Sequence, residues 1–336
     1  MSLESSPAGL LRVLVLSGGP SAEREISLRS GLAVTLALES IGHRVISFDP
    51  REEQLTGVEA SGLDVAFVAL HGRYGEDGGV QSQLEAIGLP YTGSHREASA
   101  LAFSKTAAKA RFIACGVPTP DAASFRAGEP VSDGVARGAR LGFPVVVKPD
   151  RQGSSLGIRF ANTPSELAAA ITAALAFDSQ GLIEVAITGE EWTVPLLDDE
   201  VLPPIRIGTP QAFFDYEAKY LREDTAYEFP ENVPPERLAL IQDTAQQAVQ
   251  SLGVTSLSRV DLRVDPRGQP WVLEVNTIPG LTDHSLAPKS AEQMGLTFAQ
   301  LCETVCRRAI AASHRDQTLR QDRQKRPVPH EMRRAG

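Results

Sequence analysis

The chain has 336 residues, which is enough for two or three domains with a substantial core. Its formal net charge of -9 argues against sequence-independent binding of nucleic acid, because such binding depends on a basic surface. No apolar run approaches the roughly 20 residues that span a bilayer, and the N-terminus lacks the features of a secretory signal. We therefore expect a cytoplasmic protein without a membrane partner.

The first segment alternates strands with helices. The predicted strands are LRVLVLSGG, HRVISFDP and DVAFVALHG, all expected to be buried, and the predicted helices are ISLRSGLAVTLALESIG and QSQLEAIG. This alternation predicts a parallel, helix-covered sheet over roughly residues 8–103.

The second segment begins with the predicted helix SKTAAKARFIACG and is interrupted at VPTPDAASF. The stretch FPVVVKPDRQGSSLGIRFAN then predicts an antiparallel hairpin with a Gly/Ser-rich tip, because two apolar runs flank the turn residues. A helix, SELAAAITAALAF, and a strand, GLIEVAI, follow the hairpin.

The third segment contains EEWTVPLLDDEVLPPIRI, a polar loop, a helix over residues 237–252, the hairpin DLRVDPRGQPWVLEVNTIPG and a final helix, SAEQMGLTFAQLCETVCRRAI. Residues 314–336 are highly charged and nearly free of large apolar side chains, which predicts disorder. The three cysteines, Cys115, Cys302 and Cys306, show no metal-binding spacing and are expected to be buried or half-buried thiols.

The hairpin of the third segment carries polar residues at alternating positions. Alternation places Arg259 and Asp261 on one face of the first strand, and Glu274 and Asn276 on one face of the second. If the strands pair, three oxygen donors converge, and such donors without His or Cys suit a hard cation such as Mg²⁺. On these residues alone, a solvated hairpin face is the favoured interpretation, although the apolar neighbours on both strands weaken it.

Three further stretches could bind ligands. Lys148 ends an apolar strand just before RQGSSLG, where it could hold a phosphate or simply extend to solvent. Glu23 follows a Gly-Gly turn, where it could bind a ligand or complement a helix dipole. Lys219 and Tyr220 lie in the long polar loop FFDYEAKYLRED, which could be a lid or a surface loop.

Six stretches together resemble the D-alanine:D-alanine ligase family of ATP-grasp enzymes. They are SGGPSAEREISLRSG, VALHGRYGEDGGVQSQLEAIGLPYTGS, SKTAAK, VVVKPDRQGSSLGI, FFDYEAKY, and RVDLRVD with LEVNTIPGLTDHSL. They follow the family's order over about residues 10–310. Asp150 and Gln152 depart from the Ser and Glu that relatives often have, and we expect neither to touch a position assigned to chemistry, although these changes could alter the affinity for ATP.

The resemblance implies an α/β, three-domain ATP-grasp fold, in which ATP lies between two antiparallel-sheet domains. We expect an N-terminal domain over 1–103 with the first D-alanine site, a central subdomain over 104–187, a C-terminal domain over 188–313 and a disordered tail over 314–336. The implied ATP-binding residues are Lys105, Lys148, Ser154, Ser155, Glu184, Glu191 and Lys219. The implied ligands of two Mg²⁺ or Mn²⁺ ions are Asp261, Glu274 and Asn276.

The resemblance also implies the reaction: two D-alanines are joined through an acyl phosphate in peptidoglycan precursor synthesis. The implied catalytic residues are Glu23, Ser154, Tyr220, Arg259, Gly280 and Ser285, and the implied substrate-binding residues are Glu23, His71, Ser285 and Leu286. A homodimer is expected from the family. The alternatives are a related ligase with D-lactate or D-serine as acceptor, and a non-catalytic nucleotide-binding regulator.

Overall fold

The structure, a computed structural model, describes residues 9–208, 226–230, 232–282 and 285–325. Within these ranges the chain forms one parallel and two antiparallel sheets, as the α/β ATP-grasp prediction requires. No helix in the described ranges is long and apolar enough to cross a membrane.

The first sheet is parallel, with strand order β2-β1-β3. Its elements are β1 (Arg12–Leu16), α1 (Arg24–Ser40), β2 (Arg44–Phe48), β3 (Val65–Val68), α2 (Gly79–Ile87) and α3 (Arg96–Phe103). The strands β1 and β3 are buried as predicted, but β2 is not, and Ile46 is 58% exposed. Both β2 and β3 are edge strands, but β3 is covered on both faces, with Val65 and Phe67 in one core cluster and Ala66 and Val68 in another.

The second sheet is antiparallel, with order β4-β7-β5-β6. Its elements, with the helix that precedes them, are α4 (Lys105–Ala114), β4 (Ala122–Arg126), α5 (Val131–Ala139), β5 (Val145–Pro149), β6 (Arg159–Ala161), α6 (Pro164–Ala174) and β7 (Gln180–Val185). The predicted hairpin is confirmed, since Val145 pairs with Ala161 across β5 and β6. The strand β4 lies in the predicted interruption, where Phe125 is its one buried residue.

The third sheet has the order β11-β10-β8-β12-β13, with β9 paired to β8. Its elements, with the helices that follow or precede them, are β8 (Glu190–Leu197), β9 (Glu200–Val201), β10 (Ile205–Gly208), β11 (Ala226–Glu228), α7 (Pro235–Leu252), β12 (Leu257–Val264), β13 (Pro270–Asn276), α8 (Leu286–Gln293) and α9 (Phe298–Lys325). The central strand β8 pairs antiparallel with β12 over eight residues, which places their side chains in fixed register.

The final helix differs from the prediction of a single element. The chain breaks between α8 and α9 at Gly295, whose φ is 81°. Thr297 and Gln300 then bond reciprocally through backbone N–H and side-chain oxygen, which starts α9. The helix continues to Lys325, which lies within the segment 314–336 for which disorder is predicted, and that prediction stays a prediction. The rest of that segment lies outside the described residues.

Helices from one part of the chain pack against sheets from another. Ala108 and Phe112 of α4 share a core with Trp192 and Val260 of the third sheet. At the other end of the chain, helix α9 packs against the first sheet. The predicted domain limits remain predictions, but the three units are joined by shared cores.

The cysteines divide between these cores and the surface. Cys302 and Cys306 are buried as predicted, whereas Cys115 is exposed at the end of α4. Burial raises the pKa of the Cys302 thiol to about 12, which keeps it protonated at neutral pH. These buried thiols therefore behave as apolar core residues.

Candidate active site

Glu23 and Ser154 meet although 131 positions separate them in the chain. The Ser154 hydroxyl donates a hydrogen bond to a carboxylate oxygen of Glu23, which stands just before α1. The absence of a side chain at Gly153 permits this approach, because a Cβ there would lie only 2.6 Å from Glu23 Oε2 and the carboxylate would have to shift. Gly72 approaches the same oxygen from the opposite segment, with a corresponding distance of 2.7 Å. The Gly/Ser turn after β5 thus closes onto the first sheet.

His71 lies beside this contact at the end of β3. Its Nε2 is 3.2 Å from the Ser30 hydroxyl, and its backbone carbonyl accepts a hydrogen bond of 2.6 Å from Ser21. Burial lowers the pKa of His71 to about 4, with the nearby Arg259 adding to the effect and a hydrogen bond to the Ile278 backbone opposing it. The imidazole is therefore neutral at physiological pH.

Asp261, Glu274 and Asn276 lie together on neighbouring strands. Asp261 pairs directly with Glu274 in the β12–β13 register, and Asn276 donates to Asp261 at 3.2 Å. Arg259 Nε and Nη2 each donate to Asp261 at 2.8 Å, while Thr193 donates at 2.7 Å. The strands therefore pair as predicted, with the addition of a β-bulge between Asp261 and the next residue.

This donor set fits a hard divalent cation. Within the described ranges, no three His, Cys, Asp or Glu side chains are grouped to hold a metal. A cation here would therefore use Asp261 and Glu274 with the amide oxygen of Asn276, and complete its shell with water or phosphate oxygens. Oxygen-only ligands of this kind are typical of Mg²⁺ and Mn²⁺.

Lys105 lies between this metal-binding candidate and the Gly/Ser turn. Its Nζ donates to the Gln152 carbonyl at 2.7 Å and lies 3.6 Å from Glu274 Oε2. Asp150 also supports this region, because its carboxylate accepts hydrogen bonds of 2.8 Å from Ser104 and from the Thr106 N–H. The expectation that Asp150 and Gln152 avoid assigned positions is wrong, since both contact Lys105 or its neighbours.

Lys148 is buried and pairs with a carboxylate oxygen of Glu184. The other oxygen of Glu184 lies 2.5 Å from Lys109 Nζ. The carboxylate predicted to contact adenine is thus directed at two ammonium groups. Lys109 was not predicted from the sequence as a site residue. Its i, i+4 spacing from Lys105 in SKTAAK could have indicated it, because residues at this spacing share one face of a helix.

Glu76 is a second buried acid that sequence reasoning did not assign. It accepts a hydrogen bond of 2.6 Å from the Gly72 N–H. Burial, followed by the negative charge of Glu23, raises the pKa of Glu76 to about 8. Its carboxyl group is therefore largely protonated at neutral pH in the absence of ligands.

The remaining predicted residues occupy the edges of this region. Glu191 forms an ion pair of 2.8 Å with Arg263, which lies opposite it on β12. Ser285 precedes α8, its hydroxyl accepts from the Thr282 N–H at 2.9 Å, and Leu286 begins the helix. A Cβ at Gly280 would be 2.8 Å from the Ser285 hydroxyl oxygen, so these two residues adjoin.

Two site predictions lie outside the described residues: Lys219 and Tyr220, both in the polar loop. Ser155 lies within the described Gly/Ser turn, and its φ of 59° is in the left-handed region. Ser154 also has a left-handed backbone, so two consecutive residues of this turn adopt a conformation that is uncommon outside glycine. Turns of this kind can direct successive backbone N–H groups at an anion.

Comparisons with known proteins agree on one family. The family model described as D-ala D-ala ligase C-terminus matches residues 112–307, and the model described as D-ala D-ala ligase N-terminus matches residues 45–94. The chain is 46% identical to the D-alanine--D-alanine ligase of Halorhodospira halophila over 92% of this chain and 100% of that protein. It is 44% identical to the ligase of Ectopseudomonas mendocina, over 93% and 99% respectively.

Solved structures give the same result. The D-alanine--D-alanine ligase of Bacillus anthracis complexed with ATP matches with a TM-score of 0.80 and 30% identity, over 91% of this chain and 99% of that one. The VanG D-Ala:D-Ser ligase of Enterococcus faecalis matches with a TM-score of 0.77 and 29% identity, over 88% and 98%. Both likenesses extend over nearly the whole of the described fold.

Proposed function

The chain belongs to the D-alanine--D-alanine ligase family and is an ATP-dependent ligase of D-alanine, and we propose that the residues described above carry out its reaction. The observation that carries this assignment of roles is the hydrogen bond between Ser154 and Glu23. It joins the Gly/Ser turn, suited to phosphate, to the carboxylate suited to the ammonium of an amino acid. The nucleotide and the first D-alanine would therefore meet at this contact.

In the first step, the carboxylate of one D-alanine attacks the γ-phosphate of ATP, which forms an acyl phosphate and releases ADP. Lys105 and Lys148 hold the phosphates, with the hydroxyl and backbone N–H groups of Ser154 and Ser155. Asp261, Glu274 and Asn276 would hold a pair of Mg²⁺ or Mn²⁺ ions, which would neutralise phosphate charge. Glu184 and Glu191 lie beside the adenine and ribose.

In the second step, the amine of another D-alanine attacks the acyl carbon and phosphate leaves. Arg259 and the Gly280 N–H stabilise the negative oxygen of the tetrahedral intermediate, an interaction typically worth about 3–4 kcal/mol for each donor. Ser285 and the Leu286 N–H bind the carboxylate of the second D-alanine at the start of α8, where helix N–H groups favour an anion. His71 remains neutral beside the first D-alanine.

Water must be kept from the acyl phosphate, because hydrolysis would waste the intermediate. We propose that the loop with Lys219 and Tyr220 closes over the ligands and that Tyr220 joins the Ser154–Glu23 contact. Because ATP and the peptidoglycan precursor pool are cytoplasmic, we also place the enzyme in the cytoplasm.

A related ligase with D-serine as acceptor is the second candidate, favoured by the match to the VanG D-Ala:D-Ser ligase. The closer agreement with curated D-alanine--D-alanine ligases, at 44–46% identity, favours D-alanine. D-lactate is a third possible acceptor. Product identification with competing acceptors separates D-alanine from D-serine. A pH series separates both from D-lactate, because an amine must be deprotonated before it attacks and a hydroxyl acid has no such requirement.

A homodimer is proposed from the family, and the first sheet offers a suitable surface. Leu32 and Leu36 of α1 are 61% and 59% exposed, and Ile46 of β2 is also exposed. Thr35 and Ser47 lie 3.3 Å apart, so the helix and strand adjoin there. Sedimentation of a Leu32→Glu, Leu36→Glu variant should reveal a monomer; an unchanged dimer would place the interface elsewhere.

The decisive experiment for the proposed function is D-alanine-dependent release of ADP by the purified protein, with the product identified by mass spectrometry. We expect D-alanyl-D-alanine as the main product, even with D-serine and D-lactate present. Absence of D-alanine-dependent ADP release would overturn the proposal, and a predominant mixed product would support the second candidate instead.

A further inference from the structure

A three-membered ionic cluster is buried next to the proposed phosphate site. Lys109, Lys148 and Glu184 are 4%, 8% and 1% exposed. Glu184 forms an ion pair with each lysine through a different carboxylate oxygen. With one carboxylate and two ammonium groups, the cluster has a formal net charge of +1.

Lys109 has three polar partners. Besides its ion pair with Glu184, its Nζ donates hydrogen bonds to the Thr119 hydroxyl at 2.7 Å and to the Pro120 carbonyl at 2.8 Å. Burial lowers the pKa of the Lys109 ammonium group. The negative charge of Glu184 opposes this effect, as does that of the exposed residue Asp121. The two lysines together hold the pKa of Glu184 below its usual value despite its burial.

The cluster also joins two sheets. Lys148 and Glu184 lie on β5 and β7, neighbouring strands of the second sheet. Lys109 lies on α4, whose apolar side packs in the core of the third sheet. Thr119 continues the connection, since its hydroxyl donates to the Val272 carbonyl of β13 at 2.8 Å.

We propose that Lys109 is a positioning residue for ATP, which acts by holding Glu184 so that the positive charge of Lys148 is available to phosphate. This inference rests on the proposed role of Lys148. With Lys109 present, Glu184 is balanced by a second cation, and the cluster retains one positive charge for the nucleotide. Without it, Glu184 and Lys148 form a neutral pair, and phosphate must compete with a buried carboxylate for the Lys148 ammonium.

The test removes the charge of Lys109 both in the presence and in the absence of the Glu184 carboxylate. We expect Lys109→Met to raise the KM for ATP by roughly tenfold or more, as for loss of a buried charge near phosphate, with little change in the KM for D-alanine. The same change is then made in a Glu184→Gln background, where no carboxylate remains to neutralise Lys148. Relative to Glu184→Gln alone, the added Lys109→Met change should alter the KM for ATP by less than about threefold. A purely structural role for Lys109 predicts the same loss in both backgrounds.

Two further variants are controls. Thr119→Val removes the hydrogen bonds of the hydroxyl but no charge, so the KM for ATP should remain within about threefold of the wild-type value. Lys109→Arg keeps the charge and should likewise retain ATP binding, which covers the case in which the Met variant does not fold. Calorimetric titration with ADP and Mg²⁺ checks that KM reports binding.

The outcomes separate this inference from the proposed function. Lys148→Met should weaken ATP binding at least as much as Lys109→Met; if Lys148→Met binds normally, the proposed role of Lys148 fails. If Lys148→Met is weak but Lys109→Met binds ATP as the wild type does, the role of Lys109 fails alone. If Lys109→Met raises the KM for ATP as much in the Glu184→Gln background as in the wild type, or if a folded Lys109→Arg variant is as weak as Lys109→Met, the inference is also overturned.

Discussion

Gly153→Ala should damage the enzyme through one added methyl group. In the structure a Cβ at this position would lie 2.6 Å from Glu23 Oε2, 2.9 Å from Oε1 and 3.0 Å from the carboxyl carbon. Ordinary contacts of a Cβ begin at 3.4 Å, so the turn and the carboxylate must separate by about 0.8 Å at their closest atoms. The backbone of Gly153 is outside the left-handed region, so alanine adds no strain of its own there.

The expected effect falls on the first D-alanine. A displacement approaching 1 Å at a reacting centre can reduce the rate about 100-fold, so we expect kcat/KM for D-alanine to fall by roughly ten- to 100-fold. The KM for ATP should change less, because the clash is with Glu23 rather than with the phosphate lysines.

The assay is initial-rate ADP release, coupled to NADH oxidation, at varied D-alanine and saturating ATP. Gly9→Ala is the matched control, since a Cβ there meets nothing within 4 Å. A Gly153→Ala enzyme with kcat/KM for D-alanine within twofold of the wild-type value would refute the close packing of Glu23 against the turn.

Three other predictions concern neighbouring groups. The free energy of unfolding of the wild type should fall as pH decreases from 6.5 to about 4, because the unfolded chain binds a proton at His71 that the folded chain excludes. The lost stability is roughly 3 kcal/mol. In urea unfolding, the His71→Gln variant should depend less on pH over this range. Arg259→Ala should abolish peptide formation while sparing ATP binding, measured by product analysis and calorimetry. Asp261→Asn should raise the Mg²⁺ concentration needed for half-maximal activity by about tenfold or more.

Each of these has a contradicting result. An unchanged difference in unfolding free energy between wild type and His71→Gln across that pH range would contradict the neutral imidazole. Turnover of Arg259→Ala like that of the wild type would remove this residue from the oxyanion role. An Asp261→Asn enzyme with the wild-type Mg²⁺ requirement would contradict its role as a metal ligand, with Asp265→Asn as the control, since Asp265 bonds within its own turn.

The pairing of the metal-binding hairpin could be predicted from the sequence because strand alternation is local. Alternation placed Asp261, Glu274 and Asn276 on facing strands, and the register joins Asp261 with Glu274. The β-bulge could not be predicted in the same way, since an extra residue in one strand depends on how its partner packs. The break before α9 could have been predicted from the sequence, because Gly295 is followed by Thr297 and Gln300 at the spacing of a capping box.

Other features depend on tertiary structure. Lys109 gains its significance from the packing of α4 against the third sheet, which brings its ammonium group to Glu184 on the second. The sequence around residues 314–325 indicated that little surface could be buried, but it did not exclude helix. Its Arg, Gln, Lys and Leu residues have good helix propensity, and the packed part of α9 provides a start for continued helix.

The short link between the second and third sheets has a mechanical consequence. Val272 donates its N–H to the Pro118 carbonyl at 2.9 Å, and its own carbonyl accepts from Thr119. Two hydrogen bonds to Val272 hold the second sheet to the third at this point, whereas the Ser154–Glu23 hydrogen bond holds the Gly/Ser turn to the segment before α1. We therefore expect the second sheet to rotate about its contact with Val272, with the largest displacement at the Gly/Ser turn and the smallest at Lys109.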